Sequence, residues 1–352
     1  MADTATKSTT SGDTLLLAQV VIRHADRAPV SGRFITDKSA EVFFRGFGEL
    51  SNEGISNAAR QGAAFRARYV DSGLVDRRNM PGEVRIQSSG APRVLMSANA
   101  FASELFEKLP CGTPISPPIL TADVQKDNML VPNVFSDEMH DYAENVLGIQ
   151  LPRGHDFLST LKNTMRLFEV SIGDEASDGC KALTSPGIEA IVAECENSQL
   201  VFSDEHIALI PEAKQIMFRF VCLTAGAGAF RNDAQLNSVA GLLARHLLAN
   251  IDDMTKAEKK PKTKLRILYT HDMTLVALAE IFGLIDCFGG SGVAFSSAFA
   301  FELWTGEGGN YVKIFFKNGV NADFIQLGRF GIGELNEKTR PFPAKTESTA
   351  TH

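Results

Sequence analysis

Thr14-Leu15-Leu16-Leu17-Ala18-Gln19-Val20-Val21-Ile22 runs without a break into Arg23-His24-Ala25-Asp26-Arg27-Ala28-Pro29. The first nine residues are apolar except Thr14 and Gln19, end in β-branched side chains and follow Gly12-Asp13, so they read as a buried strand. Two guanidinium groups and an imidazole then sit on the loop at the strand's carboxyl end, where open α/β sheets bind ligands. Arginine presents a planar fork to phosphate oxygens, and a pair flanking one histidine offers tetrahedral-anion binding with a nucleophile between. Taken alone, the loop also fits a solvated basic turn.

Two further units of the same kind lie downstream. Glu83 to Gln87 reads as a strand, and Ser88-Ser89-Gly90-Ala91 turns into a helix with Pro92 at its first position and Arg93 next. Backbone N–H groups at a helix start favour an anion beside Arg93, whose alternative role is a surface charge. Lys264 to Thr270 reads as a strand, followed by His271-Asp272 and a helix from Met273 to Phe282 stopped by Gly283. Asp272 also suits a simple N-cap. A helix capped by Ser51 lies between the first two units, with Ile55, Ala58, Ala59, Gly62, Phe65 and Tyr69 on one face. Strands alternating with helices predict an α/β fold with a mainly parallel central sheet flanked by helices.

The division expected along the chain is a disordered leader over 1–13, an α/β catalytic core over 14–116 and 236–333, an inserted, mostly helical cap subdomain over 117–235, and a flexible tail over 334–352. Within the insertion, Glu138 to Leu147 and Phe157 to Phe168 read as helices; Ala294 to Leu303 and Tyr311 to Phe316 read as a hairpin joining the main sheet. The net charge of −7 over 352 residues gives no cationic field for nucleic acid or anionic lipid. The apolar stretch Leu15 to Ile22 is too short for a membrane span or for most signal-peptide cores, so a cytoplasmic placement is expected, with secreted or lysosomal as the alternative. Five widely separated cysteines without a C-x-x-C pair read as reduced thiols, and no cluster has metal-ligand spacing. The Gly289-Gly290-Ser291-Gly292 run and the stretch around Gly228 read as loops.

With these blocks in place, the chain resembles the histidine acid phosphatases, branch 2 of the histidine phosphatase superfamily, whose fold is that of the phosphoglycerate mutases. Arg23, His24, Arg27 and Pro29 fall on that family's R-H-G-x-R-x-P loop. Ser88, Arg93, Ser97 and Ala98 fall on R-S-T-x-x-x-R-T-x-x-S-A, and His271-Asp272 on its late His-Asp dipeptide. Gly46 to Gly54 is similar to G-F-G-Q-L-T-x-x-G, and Phe301-Glu302-Leu303-Trp304 to a strand near the family's end. The resemblance implies a metal-independent phosphomonoester hydrolase with no cofactor. In it His24 is phosphorylated, Arg23, Arg27, Arg93 and His271 clamp the phosphoryl group, and Asp272 protonates the leaving group. It also implies a small phosphorylated substrate, leaves a homodimer open, and leads us to expect an acidic optimum.

Some positions depart from the family. Ala25 stands in place of a glycine, which costs about 1 kcal/mol if the backbone there needs positive φ. Gln87 replaces an arginine found in many members, and Gly90 and Pro92 replace acidic residues. The alternative reading is a catalytically impaired pseudo-phosphatase that only binds phosphorylated ligands. A mutase or bisphosphatase of the same superfamily lacks the continuation supplied by Arg27 and Pro29. His140, His155, His206 and His246 stand apart from any motif and read as core or surface groups.

Overall fold

The computed structural model describes residues 12–30, 32–154, 156–290 and 292–342, with the side chain of Phe157 left aside. Most of the leader, His155, Ser291 and the last ten residues of the tail lie outside them. Seven strands form one sheet: β1 (Thr14–Arg23), β2 (Val84–Ser88), β3 (Ile119–Thr121), β4 (Leu265–Thr270), β5 (Ala298–Gly306), β6 (Gly309–Lys317) and β7 (Ile325–Gly331), in the order β3-β2-β4-β1-β5-β6-β7. The first four in that order pair in parallel, and β5, β6 and β7 continue the sheet antiparallel.

β1 is central because it is apolar on both faces, which an edge strand could not bury. Leu17 and Val21 pack with Leu243, Leu247, Leu275 and Phe282 from the Leu242–Lys256 and Asp272–Phe282 helices. Ala18, Val20 and Ile22 face the other way, toward Phe65, Val94 and Phe101 of the Asn52–Phe65 and Pro92–Leu105 helices. Gln19, the one buried polar residue of the run, donates from Nε2 to the Leu247 carbonyl at 2.8 Å and accepts from Asn250 at 2.8 Å, so it carries no unmet bond. The Asn52–Phe65 and Pro92–Leu105 helices cross closely enough that a Cβ at Gly62 would run into the carbonyl oxygen of Phe101.

Between β3 and β4 the chain is helical and has a core of its own, with Met139, Leu167, Ile188, Ile216, Phe220 and Leu223 at its centre. Met217 and Met273 pack against both this core and the sheet-side core. No helix among the described residues is long and apolar enough to cross a membrane. None of the five cysteines is in a disulfide.

The structure corrects the expected boundaries in two places. Ile119–Thr121, assigned to the insertion, is a sheet strand paired in parallel with β2. The tail expected to be flexible from Glu334 instead holds a helix, Ile332–Thr339, anchored by buried Leu335 and Phe342 against the sheet-side core. One apolar residue per turn is enough to dock that helix once β7, which the sequence reading also missed, has carried the chain to the sheet edge.

Candidate active site

β2, β4 and β1 are neighbours in the sheet, so their carboxyl ends release the three charged loops side by side. The ladder continues one residue into each loop: His24 N–H donates to the Thr270 carbonyl at 3.1 Å, and Ser89 N–H to the Tyr269 carbonyl at 3.0 Å. His24, Arg27, Arg93, His271 and Asp272 thereby line one cavity of about 430 Å³. Arg23 lies behind them and lines an adjoining chamber of about 150 Å³ that shares Arg27, Glu189, Met217 and Asp272 with the first. All six residues singled out in the sequence are brought together.

The His24 ring is oriented by its own loop. Its Nδ1 lies 2.9 Å from the Ala25 carbonyl oxygen, which can only accept, so Nδ1 carries the proton and Nε2 keeps its lone pair. Arg93 Nε points at that lone pair from 3.4 Å, and the His271 ring stands edge-on at 5.7 Å between centroids. Burial and then Arg93, Arg23 and Arg27 push the His24 pKa well below its ordinary value, leaving a neutral imidazole. Burial and Arg93 likewise lower His271, whose Nε2 lies 3.2 Å from Ser89 Oγ. Both histidines are therefore neutral in the free site, and neither needs to lose a proton before acting.

Each guanidinium is held differently. Arg23 pairs with Asp272 at 2.7 Å, donates to the Val293 carbonyl and stacks 4.2 Å over the Phe295 ring. Arg27 donates to the Ala28 carbonyl and to Glu189 Oε1, both at 2.8 Å. Arg93 has no carboxylate partner among the described residues; burial and then Arg27 lower its pKa to about 10. Burial alone would raise the Asp272 carboxyl, but Arg23 and then Arg27 outweigh it and hold it below the ordinary range. Asp272 is thus a carboxylate in the free site, where the sequence reading required a proton donor. A phosphate dianion between the arginines would offset their charge and let that carboxyl take up a proton.

The stretch Gly46 to Gly54 braces the first loop. Ala28 N–H donates to the Glu49 carbonyl at 2.9 Å, Gly48 N–H to that of Pro29 at 2.7 Å and Ser51 N–H to that of Asp26 at 2.9 Å. Ser51 then caps the Asn52–Phe65 helix by accepting from Gly54 N–H, and a Cβ at Gly54 would strike the Asp26 carbonyl oxygen. Asn57 donates to the buried Asp26 carboxyl at 2.8 Å. Ala25 does not take up positive φ; its N–H donates to Ser97 Oγ at 3.1 Å, so the methyl group adds no backbone strain. The strain sits instead at Ser296, φ 63°, whose N–H donates to the His24 carbonyl.

Several contributors escaped the sequence reading. Glu189 accepts from Arg27 and, through Oε2, from Val30 N–H at 2.9 Å, tying the insertion to the first loop. Its signal was a carboxylate set in the apolar stretch Gly187-Ile188-Glu189-Ala190-Ile191. Phe295 under Arg23, and the apolar side chains opposite His24, carried no local mark. His140 is a buried structural group whose Nδ1 donates to the Ser136 carbonyl at 2.8 Å, while His206 sits beside its helix cap Ser203.

Residues 14–148 match the family model of the histidine phosphatase superfamily, branch 2. A protein named putative acid phosphatase 1 of Caenorhabditis elegans is 22% identical over 315 residues, 86% of this chain and 71% of the relative. The lysosomal acid phosphatase of Bos taurus is 24% identical over 330 residues, covering 88% and 72%. Among solved structures, a Hafnia alvei phytase superposes with a TM-score of 0.61 at 12% identity over 94% of this chain and 97% of that one. A Klebsiella sp. phytase gives 0.61 at 15% identity over 94% and 98%. At these identities the two phytases speak to the fold.

Proposed function

We propose that this chain, whose residues 14–148 match the model of branch 2 of the histidine phosphatase superfamily and which is similar to acid phosphatases over most of its length, is an acid phosphatase that hydrolyses phosphate monoesters through a phosphohistidine on His24. His24 Nε2 attacks phosphorus while the ester P–O bond breaks, and the departing oxygen takes the proton held by Asp272. Water then attacks the phosphoimidazole, its proton returns to the Asp272 carboxylate, and inorganic phosphate leaves. Arg23, Arg27, Arg93 and His271 supply the charge and hydrogen bonds that favour the spread-out charge of the transferring phosphoryl group. The observation that carries this reading is the orientation of His24: Nδ1 engaged by Ala25, and Nε2 turned toward Arg93 in the shared cavity. The names of the lysosomal relatives favour the secreted or lysosomal placement over the cytoplasmic one.

The test is a rapid acid-free quench of the protein mixed with radiolabelled p-nitrophenyl phosphate near pH 5. An acid-labile, base-stable phosphoprotein is expected within one turnover, with none in His24→Ala, whose steady-state rate falls by about 10⁵-fold or more. Equal, negligible release by both proteins would leave a site that only binds phosphorylated ligands.

A further inference from the structure

The cavity around His24 is charged at one end only. Besides the five residues at the phosphate end and Glu189, which is committed to Arg27, the residues that line it are apolar except for Thr164, Ser185 and Thr224. Thr224 spends its hydroxyl on the carbonyls of Phe220 and Val221. No lysine lines this cavity among the described residues. A ligand with several phosphates would find cations for one and an apolar wall for the rest, at a heavy desolvation cost. Arg23 and Arg27 are moreover already paired with Asp272 and Glu189.

The wall has a direction. On the Phe157–Ile172 helix, Leu161, Met165 and Phe168 face the cavity, and Leu158 follows on the same side by helical spacing. From Leu158 to Phe168 this stripe covers about 15 Å at 1.5 Å per residue. Exposure is uneven along it: Phe168 is buried at 3%, Met165 is 41% exposed, Leu161 is half-buried and Leu158 is 56% exposed. Val30 and Val124, also cavity-lining, are 46% and 41% exposed. Three of the large apolar side chains that the fold leaves in water, Val30, Val124 and Met165, therefore line one site, with Leu158 beyond them. Scattered surface apolar residues are ordinary, but a cluster continuous with a buried apolar pocket marks a ligand surface.

We infer that the substrate is a phosphate monoester of an alcohol bearing a single extended apolar chain, with the phosphate at His24 and the chain lying along Phe168, Met165 and Leu161 toward Leu158. The inference rests on the phosphatase reading for its phosphate end and on the wall for its chain. Continuity of the stripe with the cationic floor selects an extended chain, since a compact sugar or inositol ring would bring hydroxyls against the wall without partners for them.

The test measures kcat/KM for ethyl, butyl, hexyl and octyl phosphate below their micelle-forming concentrations, beside glycerol phosphate and inositol hexakisphosphate. Burial of each early methylene should raise kcat/KM by about threefold. Because the outer track is half open, the octyl-to-ethyl ratio should reach at least about 30. In Met165→Asp that ratio should fall by about tenfold, and in Leu158→Asp by less; being internal to each protein, the ratio is insensitive to the fraction folded. A wild-type ratio near one, or faster turnover of glycerol phosphate or inositol hexakisphosphate than of octyl phosphate, overturns the inference. Binding of the matching alkyl phosphonates, which cannot be hydrolysed, separates the two readings. Affinity rising with chain length without turnover of any ester sinks the phosphatase reading and keeps the apolar track. Turnover with flat phosphonate affinity does the reverse.

Discussion

Around His24 the side chains are held by hydrogen bonds and ion pairs anchored at the ends of β1, β2 and β4, whereas the helices across the cavity present Leu161, Met165, Phe168 and Phe220, of which Phe168 and Phe220 are packed into the insertion's own core. The polar floor is fixed by the register of three parallel strands, so a displacement of one loop would break contacts to the other two. The apolar wall can exchange one side chain for another of similar volume at a cost of about 1 kcal/mol. In the proposed function the reaction therefore belongs to the floor and the choice of substrate to the wall.

The sharpest way to test that division is Asp272→Asn. Because Arg23 keeps Asp272 ionised in the free site, the proton that it donates in the proposed mechanism must enter with the ester, whose second ionisation lies near pH 6. Activity on an alkyl ester should then be present below about pH 6 and decline as pH rises. Asp272→Asn should lose about 10³-fold in kcat on ethyl phosphate and about tenfold on p-nitrophenyl phosphate, which leaves without a proton. Steady-state rates on the two esters check this; equal losses, or a wild-type rate on ethyl phosphate still climbing above pH 8, would remove Asp272 from the role.

Glu189 is where floor and wall meet. If the insertion only shapes the substrate, Glu189→Ala should change the preference among esters; if it also positions Arg27, every ester should slow alike. Both Arg27 and Glu189 are buried, and breaking such a pair leaves a charge uncompensated at about 3 kcal/mol in stability. The expected outcome is a kcat lowered about tenfold on short and long esters equally, with an unchanged octyl-to-ethyl ratio. Glu189→Gln, which still accepts from Val30 N–H, should recover part of it.

The floor was legible in the sequence and the wall was not, for physical reasons. A strand buried on both faces must be a continuous apolar run, and a phosphate-binding loop must break from it into charge, so Leu15 to Pro29 announces both. Leu158, Leu161, Met165 and Phe168 have the spacing of any amphipathic helix, and nothing local distinguishes a face turned to a ligand from one turned to a core. β3 has only three residues, and β7, from Ile325 to Gly331, has no residue fully buried, so neither carries the alternation that reveals a strand. Both exist because a neighbour offers them a hydrogen-bonding edge.

A third prediction concerns the interior of the floor. Burial pushes the Asp26 carboxyl up from 3.8 to about 6, against the lowering effect of Asn57. A carboxyl raised in the folded protein contributes stability that is complete below its unfolded pKa and is lost as pH rises through about 6. Asp26→Asn, whose amide oxygen still accepts from Asn57, should remove that loss, stabilising the protein by about 2 kcal/mol at pH 7 and by much less at pH 4. Denaturant titrations at the two pH values check it; the same difference at both would mean that the carboxyl is not what sets the pH dependence here.

The smallest effect bears on how strictly the floor is built. Ala25 occupies a position where the family carries glycine, yet its backbone lies outside the positive-φ region and its methyl group packs with Leu50 and Ala58. Restoring the family residue should therefore not improve the loop. Ala25→Gly removes a buried methyl and widens the unfolded ensemble, two losses of the same sign, for a destabilisation of about 1 kcal/mol. Its kcat should stay within about twofold of wild type, because the N–H to Ser97 and the carbonyl that orients His24 belong to the backbone and survive the change. A rise in kcat of tenfold or more on Ala25→Gly would show that the methyl group had tilted the His24 ring, and the floor would then be less firmly set than its hydrogen bonds indicate.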